Sequence, residues 1–529
     1  MPSQRGRMKP KYKQMAFETA VRNPDRYFGI LSAVEQYEGK MLTKEFLLEL
    51  MCQLYVDGVV TSPGIEIKDS TTVEDIKNKV IEVNSSRNGD GGFPKGYCSR
   101  FWTYMRTLSE FGLVYARYNE AFKISEIGHL FLKKELDDQE VFSMQAAKFN
   151  RRSPYRNVIN DYNFFQLALS LILNLKERGR RLSYEQFIVL TFNKSGDLAE
   201  TTNILDHNTF ADEHSAYEFT RRFYGSTTKE KTVVSEYPDV VRRVMIIAGF
   251  ITIRYEGKKF IEINENKINY IKDLMSIPFE VNDEEKNDAK KYFDKLGTRN
   301  EKYIALIYKY RRVDVIDGSE YTGTLLNLIR EYNLDEEKII RGINGIESRA
   351  DIIGEFKEIP APLKLEFYIS ILIALKYDGI FSIRPNYKAD HLGKPYSHAP
   401  GNHGDIDVYS DDKYWLIEVT LIRNKTQQLN NETASLIRHL GSDEKFINHR
   451  DKYLSLVAPV IHDDTRMFMD TALVNIQEEG KYKSIKSYSF NEFISVTQEK
   501  RNLVDMEEYT NFVFDRFRTN LLKRNETHS

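Results

Sequence analysis

Apolar residues recur at helical spacing in two stretches of the first 280 residues, and each stretch stops at a glycine before the pattern changes to alternation. The first is Ser99-Arg-Phe-Trp-Thr-Tyr-Met-Arg-Thr-Leu-Ser-Glu-Phe-Gly112. Phe101, Met105 and Leu108 make one face, and Arg100, Thr103, Arg106 and Thr107 the other. Ser99 is the expected N-cap and Gly112 the expected stop. Strand-like segments at 113–117 and 122–128 follow. The second stretch runs from Pro238 through Val240 to Gly249, into Phe250–Arg254, a Glu256-Gly257 turn and Lys258–Ile263. A helix followed by a hairpin is the arrangement of a winged helix, whose helix enters a major groove. Two copies predict a tandem DNA reader, although such transitions also occur in proteins that bind no nucleic acid. Arg221, Arg222, Lys229, Lys231, Arg242 and Arg243 gather basic charge around the second copy, interleaved with Tyr217, Phe219, Phe223 and Tyr224. The candidate DNA-contacting residues are Arg100, Thr103, Arg106, Arg221, Arg222, Arg242 and Arg243.

From Val281 the texture turns charge-rich, helical patterns continue through Ile340, and Pro360-Ala-Pro362 punctuates the chain. The expected organisation is a recognition region over 1–280, a helical linker over 281–355 and an α/β domain over 356–529. That last domain reads as helix (364–377), long loop, hairpin (405–421), helix (426–440), strand (453–461) and further helices. Such an order predicts a mixed sheet with helical cover.

The hairpin carries the chemistry. Gly404-Asp-Ile-Asp-Val-Tyr-Ser-Asp-Asp-Lys-Tyr-Trp-Leu-Ile-Glu-Val-Thr-Leu421 reads as strand, polar turn, strand. Pairing Tyr409 with Tyr414 sets Asp405 directly opposite Glu418. Alternation then places Asp405, Asp407 and Tyr409 on the face of Glu418 and Thr420, with Trp415, Ile417, Val419 and Leu421 in the apolar layer. Opposed side chains have Cβ atoms ~5 Å apart, and like charges there are destabilising unless neutralised. A divalent cation does this, and an oxygen-only donor pair suits Mg²⁺ with water and phosphate as further ligands. The bland alternative is a solvated acidic hairpin. It is weakened by Glu418 lying in an apolar run, where a lone carboxylate is costly. Glu366 sits in a helix apolar on nearly every side, either favoured by the helix dipole or aimed at a cation. Glu432 shares a helix face with His439.

Composition narrows the class. A chain of 529 residues exceeds one core. Hydrophobic content of 41% with 31 Phe and 32 Tyr is globular, and a net charge of −2 gives no global polyanion signal. Locally, the first 14 residues hold Arg5, Arg7, Lys9, Lys11 and Lys13 with no acid, as a phosphate-following arm or a solvated terminus would. Two cysteines argue against a disulfide scaffold or a multi-cysteine zinc site, and the irregular spacing of His398, His403 and His439 argues against a histidine one. No long apolar run or signal-like start is present, so a soluble cytoplasmic protein without membrane association is expected. Gly89-Asp-Gly-Gly92 lacks the following Lys-Ser or Lys-Thr of a phosphate loop, which disfavours nucleotide hydrolysis.

The run His398-Ala-Pro-Gly-Asn-His-Gly-Asp405, with Glu418-Val-Thr420, Thr426-Gln427, Glu432 and Arg438-His439, resembles the catalytic domain of type IIS restriction endonucleases of the AlwI, PleI, MlyI and BstNBI group, which includes nicking enzymes. The resemblance implies a winged-helix-like DNA-recognition region, a linker and a C-terminal cleavage domain of the PD-(D/E)xK nuclease fold. It implies Mg²⁺-dependent hydrolysis, with Mn²⁺ able to substitute, a few base pairs outside a short asymmetric site in double-stranded DNA. Carried over residue by residue, Asp405, Glu418 and Glu366 hold the metal, and Glu432 is a further catalytic carboxylate reached through a one-residue insertion. Thr420 stands where (D/E)xK has lysine, leaving Glu432, Lys425 or water to act as base. Double-strand cleavage would need a second copy or a small subunit, and a cognate methyltransferase would belong to the same system. The alternatives are a strand-specific nicking enzyme, the large subunit of a heterodimer, or a DNA-binding regulator without catalysis.

Overall fold

Glycine and proline set the element boundaries in the first half of the chain. The helix expected from Ser99 begins earlier, at Tyr97, behind Gly96 with φ 82°. Ser99 lies inside it, its carbonyl accepting from Thr103 Oγ1 at 2.9 Å. The helix ends at Glu110, and Gly112 turns the chain at φ 68°, a left-handed conformation that costs glycine nothing. A Cβ there would lie 2.4 Å from Leu296 Cβ, so close packing also requires glycine. Strands β1 (Val114–Tyr115) and β2 (Lys123–Ile124) then pair antiparallel. In the second copy, the helix Tyr237–Ile247 follows a π-helical turn over Thr232–Glu236. Strand β3 (Leu182–Ser183) joins β4 (Ile251–Glu256) and β5 (Lys258–Ile263) in a sheet of order β3-β5-β4, with the expected turn at Gly257.

The computed structural model describes residues 18–24, 26–68, 70–89, 92–311, 318–346, 353–399, 403–425, 428, 429, 436, 451–476 and 482–499. The chain divides into two compact units, Met1–Asp314 and Val315–Ser529. The segment read as a helical linker is shared between them. Tyr292, in the helix Ala289–Gly297, donates to Glu110 O at 3.0 Å, and Gln145 Nε2 donates to Leu296 O at 3.1 Å, both within the first unit. Leu325, Leu328, Ile339 and Ile343, from the helices Gly318–Glu331 and Glu336–Gly345, enter the core of the second. Cys52 and Cys98 are free and buried in the first unit, and burial pushes both thiols up to about 11.

The second unit is built on β6 (Ser382–Pro385), the short pair β7 (Lys388–Ala389) and β8 (Pro395–Ser397), then β9 (Ile406–Tyr409), β10 (Lys413–Val419), β11 (Asp451–Ala458) and β12 (Tyr482–Ser489). Five of these form a mixed sheet of order β12-β11-β10-β9-β6. β10, β11 and β12 run parallel, whereas β9 is antiparallel to β10 and β6. Ile406, Val408, Trp415 and Ile417 pack in the core that holds Phe367, Ile371 and Leu372 of the helix Ala361–Lys376 and Phe493 of the helix Phe490–Glu499. The other face is apolar as well. Tyr414, Leu416, Leu454 and Leu456 meet Met469 and Leu473 of the helix Asp463–Ile476. Strands covered on both faces lose the simple inside-outside alternation. The expected polar face is therefore a second buried layer, and any carboxylate on it needs a partner.

Candidate functional site

The β9–β10 register is Tyr409↔Tyr414, Val408↔Trp415, Asp407↔Leu416 and Ile406↔Ile417. One step further lies Asp405 opposite Glu418, just beyond the end of β9. Asp405 is fixed from two sides, its carbonyl accepting from Asn386 N–H at 2.9 Å and its Oδ2 from Val419 N–H at 2.8 Å. Glu418 is 6% exposed although it lies in a parallel strand pair opposite Leu456. Gly404 makes room for it. A Cβ at that position would stand 2.9 Å from Glu418 Oε1 and 2.2 Å from Leu416 Cδ1.

Asp407, on the same face by alternation, is differently used. It is buried, accepting from Tyr414 Oη at 2.8 Å and from Asn386 Nδ2 at 3.0 Å. Asn386 Nδ2 also donates to Gly404 O at 2.8 Å, so one amide ties the structural carboxylate to the turn that presents Asp405. Nothing in the linear sequence marks Asn386 for this. It acts through backbone groups 18 residues away in the chain.

Glu366 is the sixth residue of its helix, past the first turn where the dipole acts, and is 4% exposed. Its Oε1 pairs with His398 Nδ1 at 2.7 Å, whereas its buried Oε2 has no hydrogen-bond partner. His398 thus enters the candidate site as a partner of a carboxylate, a role its loop context did not mark. Thr420 is nearly buried, its N–H donating to Val457 O at 2.9 Å, and Lys425 Nζ pairs with Asp464 at 2.9 Å. His403 is exposed. Glu432 and His439 lie outside the described residues. Among the described residues, no group of three His, Cys, Asp or Glu side chains is gathered to hold a metal ion. The strand register therefore sets Asp405 across from Glu418, and a hydrogen bond pairs Glu366 with His398.

The candidate DNA contacts separate into three kinds. Arg221 and Arg222 project from the helix Glu213–Tyr224 with 61% and 82% of their side chains exposed, each loosely paired with Glu218, at 3.6 and 3.5 Å. Beside them Phe223 is 54% exposed and stacks on Phe219 with centroids 5.0 Å apart. Arg100, Arg106 and Arg243 are partly buried and engaged within the protein, Arg100 on Tyr104, Arg106 on Glu18, and Arg243 on Asp239 and Asn23. Thr103 Oγ1 donates to its own helix backbone. Arg242 is the third kind. It is buried, paired with Asp239 at 2.7 Å and set over the Tyr184 ring.

The chain matches the family described as AlwI restriction endonuclease over residues 109–328 and 351–496, more than half its length. No match is found among curated proteins. Similar solved structures include the small subunit of the heterodimeric restriction endonuclease R.BspD6I, at 20% identity over 31% of this chain and 77% of that one, TM-score 0.24. They also include the BpuJ1 endonuclease binding domain in complex with modified DNA, at 13% identity over 54% and 98%, TM-score 0.33. A third is restriction endonuclease FokI bound to DNA, at 9% identity over 92% and 95%, TM-score 0.22.

Proposed function

This chain belongs to the AlwI restriction endonuclease family, site-specific nucleases that bind and cut DNA, and from that premise we propose that it is a Mg²⁺-dependent type IIS enzyme. In this reading the first unit reads a short asymmetric duplex site through its two winged-helix-like elements. The second unit, of PD-(D/E)xK type, hydrolyses a phosphodiester bond a few base pairs outside it. The observation that carries the reading is the register setting Asp405 opposite Glu418 in a sheet covered by an apolar cluster on each face. Two buried or half-buried carboxylates brought together in such surroundings call for a cation.

The donor set fits a hard divalent ion, being all oxygen, and Gly404 lets the Glu418 carboxylate approach the chain more closely than a residue with a Cβ would. Mg²⁺ bound there would polarise the phosphoryl oxygens, acidify a water and offset charge on the leaving oxygen. The protein's own contribution is placement. Val419 N–H and Asn386 N–H hold Asp405 in line with the strand end, while His398, just after β8, orients Glu366 on its helix. Glu366 and Glu432 are proposed to act through water or around a second ion. One chain offers one such site, so cutting both strands would recruit a second copy or a small subunit.

The test is purified protein with supercoiled plasmid in Mg²⁺ or in EDTA, beside Asp405→Ala. Discrete fragments that vanish in EDTA and in the variant are expected. Open circles alone would indicate a nicking enzyme or an absent subunit. Intact DNA binding with no cleavage in any divalent ion would overturn the catalytic reading and leave a regulator.

A further inference from the structure

Phe223 is more than half exposed in the last turn of the helix Glu213–Tyr224, directly after Arg221 and Arg222. Single exposed apolar side chains are common and need no explanation. This one is held from beneath. Its ring stacks on Phe219, one turn earlier, with 14° between the planes, and Phe219 in turn meets Phe210 edge-on at 5.3 Å. Phe223 also meets Tyr224 edge-on at 5.0 Å. Tyr224 is buried and its Oη donates to Asn193 Oδ1 at 3.4 Å, while the Asn193 carbonyl accepts from the buried Arg151 guanidinium at 2.9 Å. Past Tyr224 the chain turns at Gly225, φ 71°, whose N–H donates to Thr220 O, and Ser226 N–H donates to the same carbonyl at 3.3 Å. The helix end is thus fixed by its backbone and by the side chain next to Phe223. The charge nearby is mainly basic. Lys229 and Lys231 in the next segment are exposed, and Glu230 between them pairs with His214 at 2.7 Å. Basic residues in a last turn offset the helix dipole, which accounts for the two arginines but not for an uncovered ring beside them. Duplex DNA, whose phosphates flank stacked apolar faces, accounts for both.

We propose that Phe223 is an apolar wedge that enters a base step of duplex DNA from the minor groove, partly unstacks it and kinks the duplex, while Arg221 and Arg222 hold the flanking phosphates. This rests on the reading of the first unit as the DNA reader. Insertion of an apolar side chain between base pairs costs stacking, and the ring that leaves water and the phosphate contacts on either side offset that cost. Support from Phe219 and Phe210 keeps the ring from folding back along its helix as the duplex presses on it. The cost of unstacking depends on the step deformed, so the wedge makes sequence felt at a position where no base edge is hydrogen-bonded. The arginines supply affinity and salt dependence, and Phe223 supplies the deformation.

A DNA fragment spanning a mapped cleavage position is cloned as a tandem repeat and excised at successive points, giving labelled pieces of equal length in which the bound position moves from end to centre. Complexes of the full chain are run on native gels in EDTA. Wild-type complexes are expected to migrate slowest with the position central, as a kink of roughly 20–90° requires. Phe223→Ala is expected to remove most of that difference and to weaken binding, read by anisotropy, roughly tenfold. Phe223→Leu, still bulky and apolar, is expected to keep most of the bend and the affinity. Thermal melts verify folding, and if the alanine variant melts early, Phe223→Gln takes its place, since its stem still covers Phe219 while its amide does not enter a stack. Wild-type mobility independent of position, an undiminished bend in the folded Phe223→Ala, or a Phe223→Leu variant that behaves as alanine would overturn the proposal. So would unchanged DNA complexes of Phe223→Ala together with altered sedimentation of the free chain, which would give the ring to a second copy. Wild type binding no fragment would instead remove the reader assignment itself.

Discussion

At the scale of single residues, the clearest demand is at Gly404, where no side chain fits. Overpacking of this kind costs about 1–3 kcal/mol, and here it would also push Glu418 out of register with Asp405. Gly404→Ala is expected to lower the melting temperature modestly and to abolish plasmid cleavage while DNA binding, measured by anisotropy, persists. Glu366 gives a second prediction. Removing its imidazole partner leaves a buried carboxylate poorly satisfied, at about 1–3 kcal/mol, so His398→Ala should destabilise the second unit in urea titration and Glu366→Gln should offset part of that loss. Lys148 gives a third, since burial pushes its ammonium down to about 7 while its Nζ donates to Leu296 O at 3.2 Å. Between that value and the ordinary lysine value near ~10.4, the unfolded chain holds a proton that the folded chain lacks. Stability should therefore rise with pH across this window, the penalty being complete below about pH 7. Lys148→Met should raise the melting temperature most below about pH 7, with the gain fading toward about pH 10. The Asp405 and Glu418 pairing was legible because a hairpin register follows from one cross-turn pair. The fate of Asp407 was not, because Asn386 and the helix covering that face are remote in sequence.

At the scale of elements, helices that look amphipathic in isolation are enclosed in the fold. The helix Tyr237–Ile247 offers Arg242 and Arg243 by spacing, but Asp239, one turn earlier, takes both. Arg242 also lies over Tyr184, a contact no local pattern reports. The helix Glu213–Tyr224 keeps its basic end outside, beside the stacked Phe219 and Phe223. Replacing Arg221 and Arg222 by Ala is thus expected to weaken binding to cognate and unrelated DNA alike and to lower the salt slope by roughly 0.9 for each phosphate they neutralise. Arg242→Ala should instead act on stability, because it leaves Asp239 with one cation fewer in a half-enclosed site. Helix and hairpin existence was readable from apolar spacing and glycine stops. The true start at Tyr97 was not, since Gly96 caps by conformation and Ser99 had the stronger local signature.

At the scale of the whole molecule, the chain resolves into two units, with the boundary inside the stretch read from its sequence as a helical linker. Charge density marks solvent-facing helix surface, and such helices can still dock by a narrow apolar stripe, as Tyr292 and Leu296 do. If a single catalytic centre per chain is correct, the first product at low protein concentration should be open circles. Linear DNA should then grow more steeply than in proportion to protein, as gel densitometry over a concentration series would show. Among the described residues no helix is long and apolar enough to cross a membrane. The burial of Cys52 and Cys98 has a practical reach as well. With both native thiols inside and held largely protonated at neutral pH, maleimide chemistry should pass them by. A cysteine introduced at the exposed Asp411, on the hairpin turn about five strand steps or roughly 17 Å from Glu418, would then carry a dye alone. The wild-type background would serve as a ready-made host for single-molecule observation of the second unit.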